Sequence, residues 1–167
     1  MESDQMELRT ERLLLRPMSL DEARAVDRGK RDGRAWSPGY PAEGDVEIAR
    51  FVLRNPPRGD LEWLFGTRQI VDRRTGLVVG ALGFFGPPDE TGTVEIGYGV
   101  VPEARGRGVA TEAVAALLAF ADGRPEVRKV VASTDLDNFA SQRVLLKSGL
   151  RPVRADEQKR YYERPSG

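Results

Sequence analysis

The most informative part of this sequence is a strand-like run that leads through a glycine-rich turn into an apolar helix. The run is Val94-Glu95-Ile96-Gly97-Tyr98-Gly99-Val100-Val101-Pro102-Glu103-Ala104-Arg105-Gly106-Arg107-Gly108-Val109-Ala110-Thr111-Glu112. We expect a strand over residues 93–101 and a helix over residues 107–121. At such a junction several backbone N–H groups and the positive end of the helix dipole meet at one point. The stretch therefore predicts a binding site for an anion.

The composition of the turn narrows the kind of anion site. Gly106 and Gly108 allow positive φ angles and let a phosphate approach the backbone without Cβ atoms in the way, while Arg105 and Arg107 add charge. A nucleoside-triphosphate P-loop would end in Gly-Lys-Ser/Thr, and a dinucleotide fold would need Gly-x-Gly-x-x-Gly. Neither pattern is present. An RNA-binding Arg-Gly segment would be repeated and disordered, whereas this one joins a strand to a helix.

Two helices are expected before this junction. Ser19-Leu20-Asp21-Glu22 has the spacing of a capping box, so a helix should begin here and end near Gly29 or Gly33. A second helix is expected over residues 45–54, where apolar side chains cover a broad face. The loop between them, Trp36-Ser37-Pro38-Gly39-Tyr40-Pro41, has two large aromatic residues that either plug the core or contribute to substrate recognition.

Strands are expected on both sides of the junction. A first strand covers residues 13–15, and three later runs separated by turn-type residues favour a meander of antiparallel strands. Next we expect a strand, a helix that ends with Gly149 in a left-handed cap, and two weaker strands. The three strands of the meander are expected over residues 61–71, 78–85 and 93–101. The next strand is expected over 127–133, the helix over 138–148, and the last two strands over 150–154 and 159–163. Without a repeat or linker, residues 1–167 should form one α+β domain.

Composition excludes several classes of function. Lys plus Arg and Asp plus Glu each number 26, so no net charge attracts the protein to nucleic acid or to an anionic membrane. The sequence has no cysteine and no histidine, which excludes thiol nucleophiles, Ser-His-Asp triads and zinc sites of the Cys/His type. We therefore expect no metal, and chemistry by carboxylates, hydroxyls or the backbone. The longest apolar run, 113–121, is too short to span a bilayer, and we expect a cytoplasmic protein.

Several segments resemble one known family. Arg105-x-x-Gly108-x-Ala110 matches the Gln/Arg-x-x-Gly-x-Gly/Ala pyrophosphate motif of the GNAT superfamily of acyl-CoA-dependent N-acetyltransferases. The segment 10–17 is similar to the opening of the branch that contains ribosomal-protein N-terminal acetyltransferases, and 138–150 resembles the late helix of the family. The resemblance implies an α+β fold with a mixed, mostly antiparallel central sheet flanked by helices, in which the fourth and fifth strands splay apart.

The resemblance also implies acetyl-CoA as co-substrate. Its pantetheine arm would pair with the backbone of Val100 and Val101, one of whose N–H groups would polarise the thioester carbonyl. Its pyrophosphate would lie on the N–H groups from Arg105 to Ala110. The complete set of cofactor-binding residues implied is Val100, Val101, Arg105, Gly106, Arg107, Gly108, Val109, Ala110, Thr111, Asn138 and Leu145.

The candidate general base is Glu95. It lies on the same strand as Val100, among apolar and glycine neighbours, and an amine attacks only after losing its proton. Glu95 would accept that proton directly or through water. The alternative is that Glu95 only points to solvent, and Glu62, Glu43 and Glu47 are then the substitutes.

One face of the late helix contains the other catalytic candidate. Asn138, Ser141 and Leu145 are spaced three and four residues apart and share a face. The resemblance places Asn138 at the pantetheine, although it is equally suited to cap the helix. Leu145 stands where many family members have a tyrosine that returns a proton to the leaving thiolate. Ser141 would instead hydrogen-bond the sulfur, unless the backbone satisfies its hydroxyl.

The function implied is transfer of an acetyl group from acetyl-CoA to a primary amine by direct attack in a ternary complex. By family branch, the first candidate acceptor is the α-amine of a protein or peptide, and small-molecule amines stay open. The early helices, the Trp36–Tyr40 loop and the C-terminal hairpin should recognise it. The rival, suggested by Leu145 and by Leu150 where phenylalanine is usual, is a non-catalytic CoA-binding or partner-binding module. We expect no nucleic-acid or membrane partner, and a homodimer is left open.

Overall fold

The structure is a computed structural model that describes residues 6–167. Residues 1–5, part of the expected single domain, lie outside this range. The described elements are β1 Leu8–Arg9, β2 Leu13–Pro17, α1 Leu20–Arg28, α2 Glu43–Arg54, α3 Asp60–Leu64, β3 Thr67–Asp72, β4 Val78–Phe84, β5 Thr93–Val100, a short 3-10 helix Pro102–Ala104, α4 Val109–Asp122, β6 Lys129–Asp135, α5 Phe139–Lys147, β7 Arg151–Ala155 and β8 Lys159–Pro165. The strands form one eight-stranded sheet in the order β1-β2-β3-β4-β5-β6-β8-β7. No helix in residues 6–167 is long and apolar enough to cross a membrane.

The pairing of β5 and β6 decides where a ligand can enter the sheet. All neighbouring strands are antiparallel except these two, which are parallel. In the described chain they pair only from Thr93 with Lys129 to Glu95 with Val131, while β5 stays paired with β4 as far as Val100. The carboxyl ends of β5 and β6 therefore diverge. This confirms the expected splay. The two strands are the fifth and sixth here, and not the fourth and fifth, because the sequence did not predict β1.

One face of the sheet is covered by α4. The ring of Phe84 on β4 lies 5.1 Å from that of Phe65 and 5.9 Å from that of Phe120 on α4. Ile96 on β5 is the antiparallel partner of Phe84, and such partners share a face. Because side chains alternate along a strand, Tyr98 points to this same face.

The opposite face of the sheet is covered by α2. Phe85, one residue after β4, packs edge-on against Phe51 of α2, with ring centroids 5.3 Å apart. Glu95 and Gly97 of β5 alternate with Ile96 and so belong to this face. A Cβ atom at Gly97 would stand 2.8 Å from the Phe85 ring, which explains the glycine there.

Helix α1 begins and ends close to where the sequence predicts. The hydroxyl of Ser19 accepts a hydrogen bond from the Glu22 N–H at 3.1 Å, as a capping residue does. Gly29 follows the helix with φ of +64°, the left-handed conformation in which a helix commonly ends. The Ser19 cap and the end near Gly29 are therefore confirmed. The Glu22 half of the capping box is not, because the Glu22 carboxylate accepts from Arg34, Trp36 and Gln69 instead.

The aromatic residues of the α1–α2 loop are part of the core. Trp36 and Tyr40 are each 2% exposed, and their rings meet edge-on at 5.4 Å. The Trp36 indole N–H donates to Glu22, and Gln69 donates to both Glu22 and the Tyr40 hydroxyl. Burial pushes the pKa of Glu22 up, but hydrogen bonds from Trp36, Gln69 and Arg34 hold it below its usual range. The rings plug the core, and their faces are not open to a substrate.

The strand predicted over residues 61–71 is wrong in its first half. Residues Asp60–Leu64 form helix α3, and the strand begins only at Thr67. Two acidic residues, Asp60 and Glu62, occupy the first helical turn, where the helix dipole favours negative charge. Gly66 makes the bend between helix and strand, and a Cβ atom there would stand 3.0 Å from the Glu62 carbonyl oxygen.

Helix α2 has a buried carboxylate at its start, which predicts a pH-dependent stability. Asp45 is 3% exposed and accepts a hydrogen bond from the Ala42 N–H at 2.9 Å. Burial raises its pKa from 3.8 to about 6, partly offset by that hydrogen bond. Because the pKa is higher in the folded than in the unfolded state, Asp45 stabilises the fold when protonated, and this stabilisation is lost as pH rises through about 6.

We expect Asp45→Asn to stabilise the protein at neutral pH. Asparagine keeps an acceptor for the Ala42 N–H and is not charged. A pKa difference of about two units corresponds to roughly 3 kcal/mol in the free energy of unfolding at pH 7.5. The gain should shrink at pH 5 and be close to zero at pH 4, as measured by urea unfolding. An equal gain at all three pH values would show that ionisation of Asp45 is not the cause.

Candidate active site

A groove with a cavity volume of 720 Å³ lies between the carboxyl end of β5, the glycine-rich turn and α5. It is lined by Tyr98, Gly99, Val100, Ala104, Arg105, Gly106, Gly108, Val109, Ala110, Thr111, Asp135, Asp137, Asn138, Ala140, Ser141, Arg143, Val144 and Lys147. The groove opens where β5 and β6 diverge. Most of the residues predicted for the cofactor therefore meet in one place.

The glycine-rich turn forms one end of the groove. Gly106 and Gly108 have φ angles of +78° and +77°, which confirms the predicted need for glycine at both positions. Helix α4 begins immediately afterwards, and the N–H groups of its first turn have no acceptor within the helix. Val109, Ala110 and Thr111 line the groove, so these donors and the positive end of the helix dipole face it. The geometry suits an anion such as a pyrophosphate.

The two arginines of the turn have different surroundings. Arg105 lines the groove, and its Nε donates to the Val100 carbonyl oxygen at 3.3 Å. Arg107 lines a neighbouring cavity instead, and its carbonyl oxygen accepts a hydrogen bond from Arg12 at 2.9 Å. The structure therefore does not bring the Arg107 side chain to the groove, because the turn between Gly106 and Gly108 directs it away.

The segment before β2, Thr10 to Arg12, holds the start of α4 in place through hydrogen bonds. Glu112, in the first turn of α4, accepts hydrogen bonds from the Thr10 hydroxyl, from the Arg12 backbone N–H at 3.0 Å and from Arg12 Nε at 2.7 Å. Partial burial pushes the pKa of Glu112 up, but these bonds hold it below its usual range. The strand that begins at Leu13 is thus tied to the helix that begins after Gly108.

The free edge of β5 exposes the backbone of Val100 but not that of Val101. The Val101 N–H donates to the Val79 carbonyl oxygen at 2.8 Å, and its side chain is 0% exposed. Backbone groups alternate in direction along a strand, so the N–H groups of Tyr98 and Val100 point to the edge that β6 has left. The prediction for Val101 is therefore not supported, since its donor is already used, whereas Val100 has the geometry required.

Helix α5 forms the second wall of the groove. The side chain of Asn138 accepts a hydrogen bond from the Ser141 N–H at 3.1 Å, so it caps the helix and also lines the groove. Leu145 is 0% exposed, lies in the core and does not line the groove. The structure does not bring Leu145 to the cofactor site, because the shared face runs from the groove at Ser141 down into the core.

Tyr98 is a functional candidate that the sequence reasoning missed. Its hydroxyl donates to the Ser141 carbonyl oxygen at 2.9 Å and lies 2.8 Å from the Ser141 hydroxyl oxygen. Burial raises the pKa of Tyr98 to about 12, although the bond with Ser141 acts in the opposite direction. Tyr98 precedes Val100 by two residues on β5. Because directions alternate along a strand, the sequence already indicated that the two residues share one face and one edge.

Glu95 lies on the opposite face of the sheet from Tyr98. Its side chain is exposed, its carbonyl oxygen accepts from the Phe85 N–H at 2.9 Å, and its carboxylate has no hydrogen bond or ion pair within residues 6–167. Glu62 accepts a hydrogen bond from the Arg58 N–H at 2.7 Å. Glu43 and Glu47 are exposed on α2. Of these four candidate bases, Glu95 is the one that lies on the same splayed strand as Val100. None of the four lines the groove.

Comparison with known proteins identifies the family. A family model described as "Acetyltransferase (GNAT) domain" matches residues 12–151, which is most of the chain. The chain belongs to the GNAT acetyltransferase family. This agrees with the glycine-rich turn, the splayed strands and the groove between them.

Individual relatives support the assignment. The chain is 30% identical over 154 residues to the uncharacterized N-acetyltransferase YjdG of Bacillus subtilis (strain 168), covering 85% of this chain and 88% of that protein. A crystal structure of an acetyltransferase from Agrobacterium tumefaciens str. C58 is 28% identical, covers 95% and 93% of the two chains, and has a TM-score of 0.65. RimL, a ribosomal L7/L12 α-N-protein acetyltransferase solved with coenzyme A, is 16% identical, covers 96% and 98%, and has a TM-score of 0.66. The likeness to RimL shows the fold alone.

The family and the geometry together define the activity at a coarse level. The protein is a GNAT acetyltransferase that uses acetyl-CoA, and its α+β fold has the mixed, mostly antiparallel sheet of that family. The sequence resemblance to the GNAT family is confirmed. The solved structures that share the fold include ribosomal-protein acetyltransferases such as RimL.

Proposed function

We propose that the protein transfers the acetyl group of acetyl-CoA directly to the α-amine of a peptide or protein N-terminus. The observation that carries this proposal is the divergence of β5 and β6 after Glu95, which leaves a gap through the sheet. The groove for acetyl-CoA opens on the α4 face, and Glu95 lies on the α2 face. The thioester and the amine can thus meet in a ternary complex, and no cysteine is needed to hold the acetyl group.

The groove suits each part of acetyl-CoA. The pyrophosphate would lie on the N–H groups of the turn from Arg105 and of the first turn of α4, and Arg105 would add charge. The pantetheine arm would pair with β5 as an added strand, since this edge is unpaired in the described chain after Glu95. The Val100 N–H would then donate to the thioester carbonyl as negative charge develops on its oxygen.

Proton transfer would be divided between the two faces of the sheet. Glu95 would accept the proton of the attacking amine. Glu95 and Tyr98, which lines the groove, are three residues of extended strand apart, or about 10 Å. The proton would therefore travel from the amine in the gap to Glu95 through water. Ser141, in the other wall of the groove, would hydrogen-bond the sulfur as the C–S bond breaks.

The α2 face of the sheet favours an extended acceptor. Among residues 6–167, no atom lies within 4 Å of the place where a Cβ atom of residue Gly99 would stand, so the surface beside the gap is open. Glu95, whose carboxylate has no partner in the described part of the chain, supplies a negative charge for an ammonium group. The shared fold of RimL, named for acetylating a protein α-amine, also supports this choice. Small-molecule amines are the alternative.

A panel of amines tests the acceptor class. We expect thiol release from acetyl-CoA with peptides that have a free N-terminus and not with N-acetylated peptides that contain lysine, aminoglycosides or polyamines. Mass spectrometry should place the acetyl group on the α-nitrogen. Faster turnover of a small-molecule amine than of every peptide would overturn the proposed acceptor, and no turnover with any amine would favour a binding module.

A further inference from the structure

Tyr98 belongs to a compact hydrogen-bonded unit in the groove and has no role in the reaction as described so far. The unit consists of the Tyr98 hydroxyl on β5 and the hydroxyl and carbonyl oxygen of Ser141 on α5. Tyr98 and Ser141 both line the groove and both are partly buried. The unit ties the splayed strand to the opposite wall at the point where the sulfur of acetyl-CoA would lie.

The protons of this unit allow two arrangements. In the first, Tyr98 donates to the Ser141 carbonyl oxygen at 2.9 Å, and the Ser141 hydroxyl donates to the Tyr98 oxygen at 2.8 Å. In the second, Tyr98 donates to the Ser141 hydroxyl oxygen, and the Ser141 proton is free to point into the groove. The heavy atoms need not move between the two, because a hydroxyl proton rotates to suit its partners.

We propose that Tyr98 is a positioning residue that turns the Ser141 proton toward the sulfur when negative charge develops there. A neutral thioester sulfur is a weak acceptor and leaves the first arrangement in place. A thiolate selects the second, in which Tyr98 donates to Ser141 and Ser141 donates to sulfur. The two bonds reinforce one another as a chain. The stabilisation is thus gained during bond breaking and not in the ground state. This inference rests on the proposed function only in placing the sulfur of acetyl-CoA beside Ser141.

No proton leaves Tyr98 or Ser141 in this scheme. Glu95 accepts one proton from the ammonium group, and the free amine then attacks the thioester carbonyl. The new C–N bond forms, the C–S bond breaks, and its electron pair stays on sulfur. The nitrogen releases its second proton to water, and the thiolate is protonated later from water. An ordinary thiol has a pKa near 8.5, whereas burial raises that of Tyr98 to about 12, so the phenol donates a hydrogen bond without giving up its proton. A buried phenol that stays neutral suits this role.

Binding of CoA and of desulfo-CoA measures the effect without any amine acceptor. Calorimetric titrations between pH 7 and 9.5 should show wild-type protein binding CoA more tightly as its thiol ionises, with a preference for thiolate of roughly tenfold or more. Tyr98→Phe and Ser141→Ala should each remove most of this preference and leave desulfo-CoA affinity unchanged. Tyr161→Phe is the matched control, since the Tyr161 hydroxyl donates to Asp156 on the C-terminal hairpin at 2.8 Å.

Turnover supplies a second readout. With an active acceptor, we expect Tyr98→Phe and Ser141→Ala each to lower kcat roughly tenfold with little change in KM for acetyl-CoA. Because the two residues act in series, the double variant should be no slower than Ser141→Ala alone. An unchanged ratio of CoA to desulfo-CoA affinity in Tyr98→Phe would overturn the proposal, and so would effects that multiply in the double variant. Failure of the peptide acceptor would leave the binding result intact and overturn only the proposed substrate.

Discussion

Replacement of Gly108 by valine is expected to abolish the stabilisation of the protein by acetyl-CoA. Gly108 has a φ angle of +77° at the start of α4, a conformation that a β-branched residue strongly resists. Valine would rotate the adjoining peptide planes, and the N–H groups that converge on the groove would no longer point to one place. Its side chain would also lie near Arg12, since a Cβ atom at this position stands 3.4 Å from Arg12 Nη2.

The expected loss is large enough to measure by thermal melting. A ligand at 100 times its dissociation constant stabilises a protein by about 2.7 kcal/mol, which is about 5–10 °C for a chain of this size. Gly108→Val, alone or with Arg105→Ala, should show no shift with acetyl-CoA. Gly33→Val is the matched control, because Gly33 has the same φ of +77° and no described residue has an atom within 4 Å of its Cβ position. Gly33→Val should melt earlier but keep the full shift. A full shift in folded Gly108→Val would place the nucleotide elsewhere.

The parts of the site that the sequence predicts well are those set by local chemistry. The positive φ angles of Gly106 and Gly108 follow from the absence of a Cβ atom, and the cap formed by Asn138 follows from the preference of helix starts for short polar side chains. These features need no knowledge of distant residues. The pyrophosphate motif, Arg105-x-x-Gly108-x-Ala110, is likewise a set of residues close together in the sequence.

The failures at Val101, Leu145 and Tyr98 depend on which face or edge each residue occupies in the assembled fold. The N–H of Val101 is unavailable because β4 supplies Val79 as its acceptor, and Leu145 is fully buried in the core against which α5 packs. Tyr98 was passed over because its partner, Ser141, lies on a different element 43 residues later. Spacing gives direction within one element, whereas these contacts arise between elements.

The base assignment gives the other large expected effect. Glu95→Gln should lower kcat/KM for a peptide α-amine by roughly a hundredfold at pH 7, because glutamine cannot accept the amine proton. An α-amine has a pKa near 8, so most of it is protonated at pH 7 and little of it at pH 9.5. Part of the lost rate should therefore return at high pH, where the amine deprotonates without assistance. Acetyl-CoA affinity should stay unchanged, since Glu95 does not line the groove.

Two controls make this prediction specific to Glu95. Glu62→Gln and Glu47→Gln remove the other carboxylates considered as bases, and each should keep near wild-type rates across the pH range. Glu62 already accepts a backbone hydrogen bond from Arg58, and Glu47 is an exposed residue of α2. Steady-state rates from pH 6 to 9.5 for the three variants decide between them. A Glu95→Gln enzyme whose rate follows wild type over that range would remove Glu95 from the mechanism, and a pH-dependent loss in Glu62→Gln would transfer the role of base to Glu62.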